Sequence, residues 1–183
     1  MAVENMEYDP TFPPIEIKYK DPFDLGAVYQ KIWYWCQNEG YVGKYGKSIN
    51  TFETLYRERT YPGFSEFWVI WEMEKELNKY IKHEITLKIQ ILYKSKIELV
   101  IDGKKVKRDT GEIIVNIKGE ITFDEKMTKE WDKPIFNRFP FNIIKKTFKI
   151  RTIKDTIDYW EDKRFPKHFD LANTIKNALG MKM

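Results

Sequence analysis

Cysteine and histidine are nearly absent. A single cysteine, Cys36, excludes a disulfide framework within the chain and any multi-cysteine metal site. The two histidines, His83 and His168, lie far apart in sequence. They form neither of the short ligand spacings that zinc centres use. Long apolar runs are missing too. The longest are Ile32–Cys36 and Phe67–Trp71, whereas a membrane-spanning helix needs about 20 apolar residues. Glycine is sparse and no glycine-rich phosphate loop occurs. Gly43-Lys-Tyr-Gly46-Lys-Ser48 has the right residue types but the wrong glycine spacing. The start, Met1-Ala-Val-Glu-Asn5, has no apolar stretch, so no signal peptide is expected. A reducing cytosolic setting, no metal, no cofactor and no membrane span are the expectations.

Charge is plentiful but nearly balanced: 32 basic residues face 28 acidic ones among 183. That balance argues against a uniformly basic nucleic-acid binder. Aromatics are in excess, at 16% of the chain. They are the feature that most needs explaining.

Along the chain, Met1 to Pro14 holds Glu4, Glu7 and Asp9, three prolines and no Lys or Arg. It reads as a flexible N-terminal arm, with Tyr8 and Phe12 available to a partner. The single domain then runs over 15–183. Ile15-Glu-Ile-Lys-Tyr-Lys20 alternates as a strand. Asp21 and Pro22 read as N-cap and first turn of a helix whose stripe is Leu25, Val28, Ile32 and Trp35, closed by Gly40.

From Thr51 to Thr122 the pattern is mostly strand. Pro62-Gly63 is one turn, Asp102-Gly103 a hairpin turn, and Asp109-Thr-Gly111 a further turn. Ile81, His83, Ile85, Leu87, Ile89, Ile91 and Tyr93 point one way, and Lys82, Glu84, Thr86, Lys88 and Gln90 the other. One dry face and one wet face favour an antiparallel sheet. Gly119 marks a bulge or a close approach. Pro134 and Pro140 break the next segment. Residues 143–153 fit a helix stripe through Ile143, Ile150 and Ile153, yet they also alternate as a strand, and both readings stay open. Pro166 should open a last helix with the stripe Phe169, Ala172, Ile175 and Leu179.

The expected fold is α+β: a curved antiparallel sheet of about six to seven strands, one helix after the first strand, and C-terminal helices packed on the sheet. This element order resembles the helix-grip arrangement of START and Bet v 1-like proteins. That likeness implies a curled sheet wrapped round a long C-terminal helix and a hydrophobic cavity. The family usually carries two short helices after its first strand, where one longer helix is read here. The wording from Asp21-Pro-Phe-Asp-Leu25 through Glu39-Gly-Tyr41 and at Ile101-Asp-Gly-Lys-Lys-Val106 also resembles small archaeal proteins, and implies no activity.

No catalytic constellation stands out. Glu72, Glu74 and Glu76 share a strand face but suit a solvated sheet surface, and Cys36 suits a buried thiol. Three consecutive aromatics, Trp33, Tyr34 and Trp35, span roughly 200° of a helix. They cannot all enter one core, so at least one is exposed, lines a cavity or meets a partner. Arg57 and Arg59 share a strand face near Tyr56 and Tyr61, a pattern suited to an anionic or planar group.

The expectation is a non-enzymatic binding protein for a hydrophobic or aromatic small molecule held between sheet and helices. Its ligand-binding residues would be Trp33, Tyr34, Arg57, Arg59, Trp71 and His83. Two other readings are kept. One is an interaction module of a larger assembly, RNA- or ribosome-associated, meeting a protein or RNA partner through Lys104, Lys105, Lys107 and Arg108 or the anion-contacting Lys145, Lys146, Lys149 and Arg151. The other is an enzyme with acid–base residues Glu72, Glu74 or His83 in the cavity.

Overall fold

The structure, a computed structural model, describes residues 12–46, 51–78, 81–101, 104–123 and 141–181. Eight elements follow in order: β1 (Ile15–Tyr19), α1 (Leu25–Asn38), β2 (Val42–Gly43), β3 (Glu53–Tyr61), β4 (Phe64–Glu76), β5 (Ile81–Ile101), β6 (Lys104–Phe123) and α2 (Phe141–Leu179). The six strands form one curved, unclosed antiparallel sheet in the order β1-β6-β5-β4-β2, with β3 also pairing β4. The α+β class, the helix after the first strand and the C-terminal helix are as expected. There is one C-terminal helix among the described residues, and Pro166 lies inside it.

Period-two alternation gives the sheet a dry and a wet face. The dry face carries Val69, Trp71 and Met73 of β4, Ile85, Leu87, Ile89 and Ile91 of β5, Ile113, Val115 and Ile117 of β6, and Ile17 of β1, all buried. Two helical stripes cover it. Val28, Ile32, Trp35 and Cys36 come from α1; Leu171, Ala172, Ile175 and Leu179 come from the end of α2. Trp35 donates its indole N–H to Asp170 at 2.9 Å, and Lys167 pairs with Glu39 at 2.5 Å. The two helices are thus tied edge to edge over the sheet. The stripe of α2 differs from expectation at Phe169, which is 44% exposed. The buried register runs one residue earlier, through His168.

Other details are corrected. α1 starts at Leu25, not Pro22, because Asp24 is its cap and accepts from the Ala27 N–H at 3.1 Å. Phe23 is held instead in a two-way backbone bridge with Asp109, at 2.9 Å each way. Asp109 to Gly111 is no turn: these residues lie within β6, where Gly111 (φ 143°) faces an irregular register between Leu92 and Ser95. A side chain at Gly111 would meet the Leu92 carbonyl oxygen at 2.6 Å. At that bulge Tyr93 takes φ 54° and swings out to 62% exposure, leaving the dry row it was read in. Residues 143–153 are helical. The segment holding Pro134 and Pro140, where a break was expected, the Asp102-Gly103 pair, where a hairpin turn was expected, and residues 1–11 with Tyr8 lie outside the described residues.

Gly119 is a close approach. A Cβ there would lie 2.8 Å from Phe12 Cδ2 and 3.0 Å from His168 Nδ1. Both neighbours are fully buried rings with no room to retreat. Gly119→Ala is expected to cost about 1–3 kcal/mol through overpacking, read as a lower urea midpoint at unchanged slope. An unchanged midpoint would show that these rings yield freely.

Candidate functional site

Two regions near the dry face carry chemistry. The first is a buried polar cluster where the β4–β5 turn end of the sheet meets the middle of α2. His83 and His168 are both fully buried. His83 Nδ1 is hydrogen-bonded to the Tyr41 hydroxyl at 2.7 Å. Among the described residues, His83 Nε2, both ring nitrogens of His168 and Arg164 Nε have no hydrogen-bond partner. Phe12 lies against both imidazoles, edge-on to His83 (5.3 Å) and stacked on His168 (5.6 Å). Lys75 sits over the Tyr41 ring at 5.8 Å and donates to the Glu39 carbonyl oxygen.

The electrostatics follow from burial. Desolvation pushes His83 down to about 3, helped by the cationic Arg164, by His168 and by Lys75. Burial also lowers His168; the Ile117 backbone, outside hydrogen-bond geometry, opposes this in part. Lys75 is lowered by burial and by Arg164. The Tyr41 hydroxyl is pushed up, so it stays protonated. Two neutral imidazoles are therefore packed beside a guanidinium. Among the described residues no three His, Cys, Asp or Glu side chains group closely enough to hold a metal ion.

The second region is a groove of about 400 Å³ between the first turns of α1 and the sheet. Leu25 and Tyr29 of α1 form one wall; Tyr56, Phe67, Val69 and Ile91 form the floor and the other wall. Tyr29 packs edge-on to Trp71 at 5.2 Å, and Tyr56 packs against Phe67 at 6.1 Å. Burial, reinforced by Glu53, raises the Tyr29 pKa, so its hydroxyl remains a donor. Lys94 lies over the Phe67 ring at 4.6 Å and 3.4 Å from Asp109. The side chains of Lys94 and Asp109 are only 17% and 16% exposed. Asp109 also accepts from the Leu25 N–H at 3.4 Å, and Lys96 adds a second cation to the lining.

No protein-family model, curated protein or solved structure matches the chain.

The residues singled out from the sequence do not converge. Trp71 is core and His83 belongs to the buried cluster. Trp33 is half-buried against the core, whereas Tyr34 is 56% exposed, so the aromatic excess of α1 does reach solvent. Arg57 and Arg59 stand on the opposite, wet face, over Trp68 at 5.8 and 5.6 Å. Lys145, Lys146, Lys149 and Arg151 fall on α2, with side chains outside the described residues. Cys36 is buried with its sulfur 3.3 Å from that of Met73, and burial raises its pKa. Tyr29, Lys94 and Asp109 were missed. Tyr29 lies beside the α1 stripe and carries no motif of its own, and Lys94 and Asp109 meet across a bulge that no local pattern announces. Among the described residues, no helix is long and apolar enough to cross a membrane.

The buried imidazoles make the fold acid-sensitive. An unfolded chain protonates His83 near 6.5, whereas the folded chain does so only near 3. The stabilisation is complete above pH about 6.5 and drains away as pH falls toward 3. Moving from pH about 7.5 to about 5 should cost about 2 kcal/mol through His83 alone. Urea titrations at the two pH values measure this. His83→Gln should flatten the difference, and an equal pH slope in that variant would refute the assignment.

Proposed function

We propose that the chain binds a small amphipathic molecule, an aromatic or hydrophobic body bearing an anionic group, in the groove between α1 and the sheet. The observation that carries this reading is Lys94. Its mostly buried ammonium lies over the Phe67 ring and 3.4 Å from Asp109, which concentrates charge at one point of a groove lined chiefly by apolar and tyrosine side chains. Asp109 occupies only part of its donor capacity. The combination of an aromatic body, few convergent polar groups and a few hundred Å³ is that of a ligand pocket. The resemblance to helix-grip proteins supports the same class of ligand. Here, however, the groove borders the first helix rather than the last.

His83 and Glu74 lie away from this groove, and neither is among its lining residues. An acid–base reaction in the groove would have to draw on Lys94, Lys96, Asp109 or the two tyrosines. Lys94 and Asp109 hold each other at 3.4 Å, and binding without turnover is the reading favoured here.

Anilinonaphthalene sulfonate is a probe of the required chemistry. It should bind the folded protein saturably, with near-ultraviolet dichroism unchanged, which separates groove binding from a loosened core. Lys94→Gln should weaken it about 10-fold, the loss of one charge-assisted contact. Gly26→Phe, on the exposed first turn of α1, should plug the groove and abolish binding. Equal titrations for all three proteins would sink the proposal.

A further inference from the structure

The wet face of the β3–β4 hairpin carries a second arrangement, independent of the groove. Cross-strand pairing places Tyr61 opposite Phe64, Arg59 opposite Glu66, Arg57 opposite Trp68 and Leu55 opposite Ile70. Tyr61 and Phe64 are stacked at 4.9 Å, and Tyr93 joins them at 5.2 Å from Phe64. Both guanidiniums lie over Trp68. The strip thus alternates an aromatic cluster, two arginines and a tryptophan. Phe64 and Trp68 are four residues apart on one strand, which is about 13 Å.

The same face continues across the sheet. Gln90 pairs with Trp68, Lys88 with Ile70, and Asn116 with Lys88. Lys18, Lys88 and Lys118 rim a depression of about 300 Å³ whose interior offers the amides of Gln90 and Asn116, with Glu16 at its edge. Glu16 is taken by Lys18 at 2.9 Å. Arg57, Arg59, Lys88 and Lys118 have no ion-pair partner among the described residues. Glu66 and Glu72 are the opposing acids in this region. Further along, Glu74 and Glu84 are matched by Lys82 and Lys44.

Unmatched cations interleaved with the exposed rings of Tyr61 and Tyr93 and the half-buried rings of Phe64 and Trp68 suit one kind of partner. A flexible polyanion with a planar group on every unit can stack on the rings while its phosphates meet the cations. A rigid duplex hides its bases and would use only the cations. A protein acid patch would use only the cations too, leaving the exposed rings of Tyr61 and Tyr93 wet. We propose that this face is a binding platform for a single-stranded polynucleotide, with bases on Trp68 and the Tyr61–Phe64–Tyr93 cluster and phosphates on Arg57, Arg59 and Lys88.

Fluorescence anisotropy of an end-labelled oligouridylate of about 12 nucleotides, with the full chain, tests this. Saturable binding is expected in low salt. With three or four phosphates neutralised, affinity should fall about 20- to 50-fold between about 50 and about 200 mM salt. Arg57→Gln with Arg59→Gln should weaken binding at least about 10-fold and shallow the salt slope. Trp68→Leu should weaken it about 5- to 100-fold, the worth of one stacked base, with the salt slope kept. Thermal unfolding confirms that each variant is folded. Absent binding in low salt overturns the proposal. So does binding indifferent to the arginine pair and Trp68, as does tighter binding of duplex RNA or of a polyglutamate of equal charge.

Discussion

One dry sheet face must be covered, and α1 alone is too short to cover it. β5 and β6 run 21 and 20 residues, about 65–70 Å if straight. α1 has 14 residues and rises about 21 Å. The Trp35–Asp170 and Glu39–Lys167 ties hold α1 beside the end of α2, so the helical layer is fixed over one part of the sheet. The Phe23–Asp109 bridge and the Asp24–Arg108 pair at 2.5 Å anchor the start of α1 to β6. Where the cover ends, the core opens into the Tyr29–Tyr56–Lys94 groove. That groove is the boundary of the helical layer, and its polar pair comes from residues beside the β5–β6 bulge.

The same mismatch separates the two chemistries. The dry face holds the groove and the neutral histidines; the wet face holds the arginines over Trp68. Arg57 and Tyr56 are neighbours in sequence, yet they serve opposite faces of β3, because adjacent residues in a strand point apart. A single ligand cannot engage both. The two proposals therefore stand or fall separately.

The legible part of the fold was the part with strong periodicity. Strand alternation in β4, β5 and β6 and the α1 stripe follow from where apolar residues must go. What local patterns could not supply was contact at distance. Phe12 looked like part of a solvated arm, but its ring fills the space beside Gly119 and stacks on His168. Phe169 looked like core because large apolar residues usually are, but the fully buried His168 takes that register. The Asp-Thr-Gly triplet reads as a turn, yet the Gly111 conformation serves a bulge inside a long strand. The candidate site was dispersed for the same reason: its members were chosen by residue type before the face of each was known.

Among the described residues, the far ends of β5 and β6 extend past the other strands: beyond Lys94 on β5 and before Asp109 on β6 they pair only with each other. A lone two-stranded ribbon offers two open backbone edges to any passing strand. Exposed Lys96, Glu98, Lys105 and Lys107 occupy this stretch, while Val100 is 70% exposed. Another strand seeking to add there would bring its backbone against a row of hydrated charges. The ribbon can therefore stand clear of the body without seeding edge-to-edge aggregation between copies of the chain.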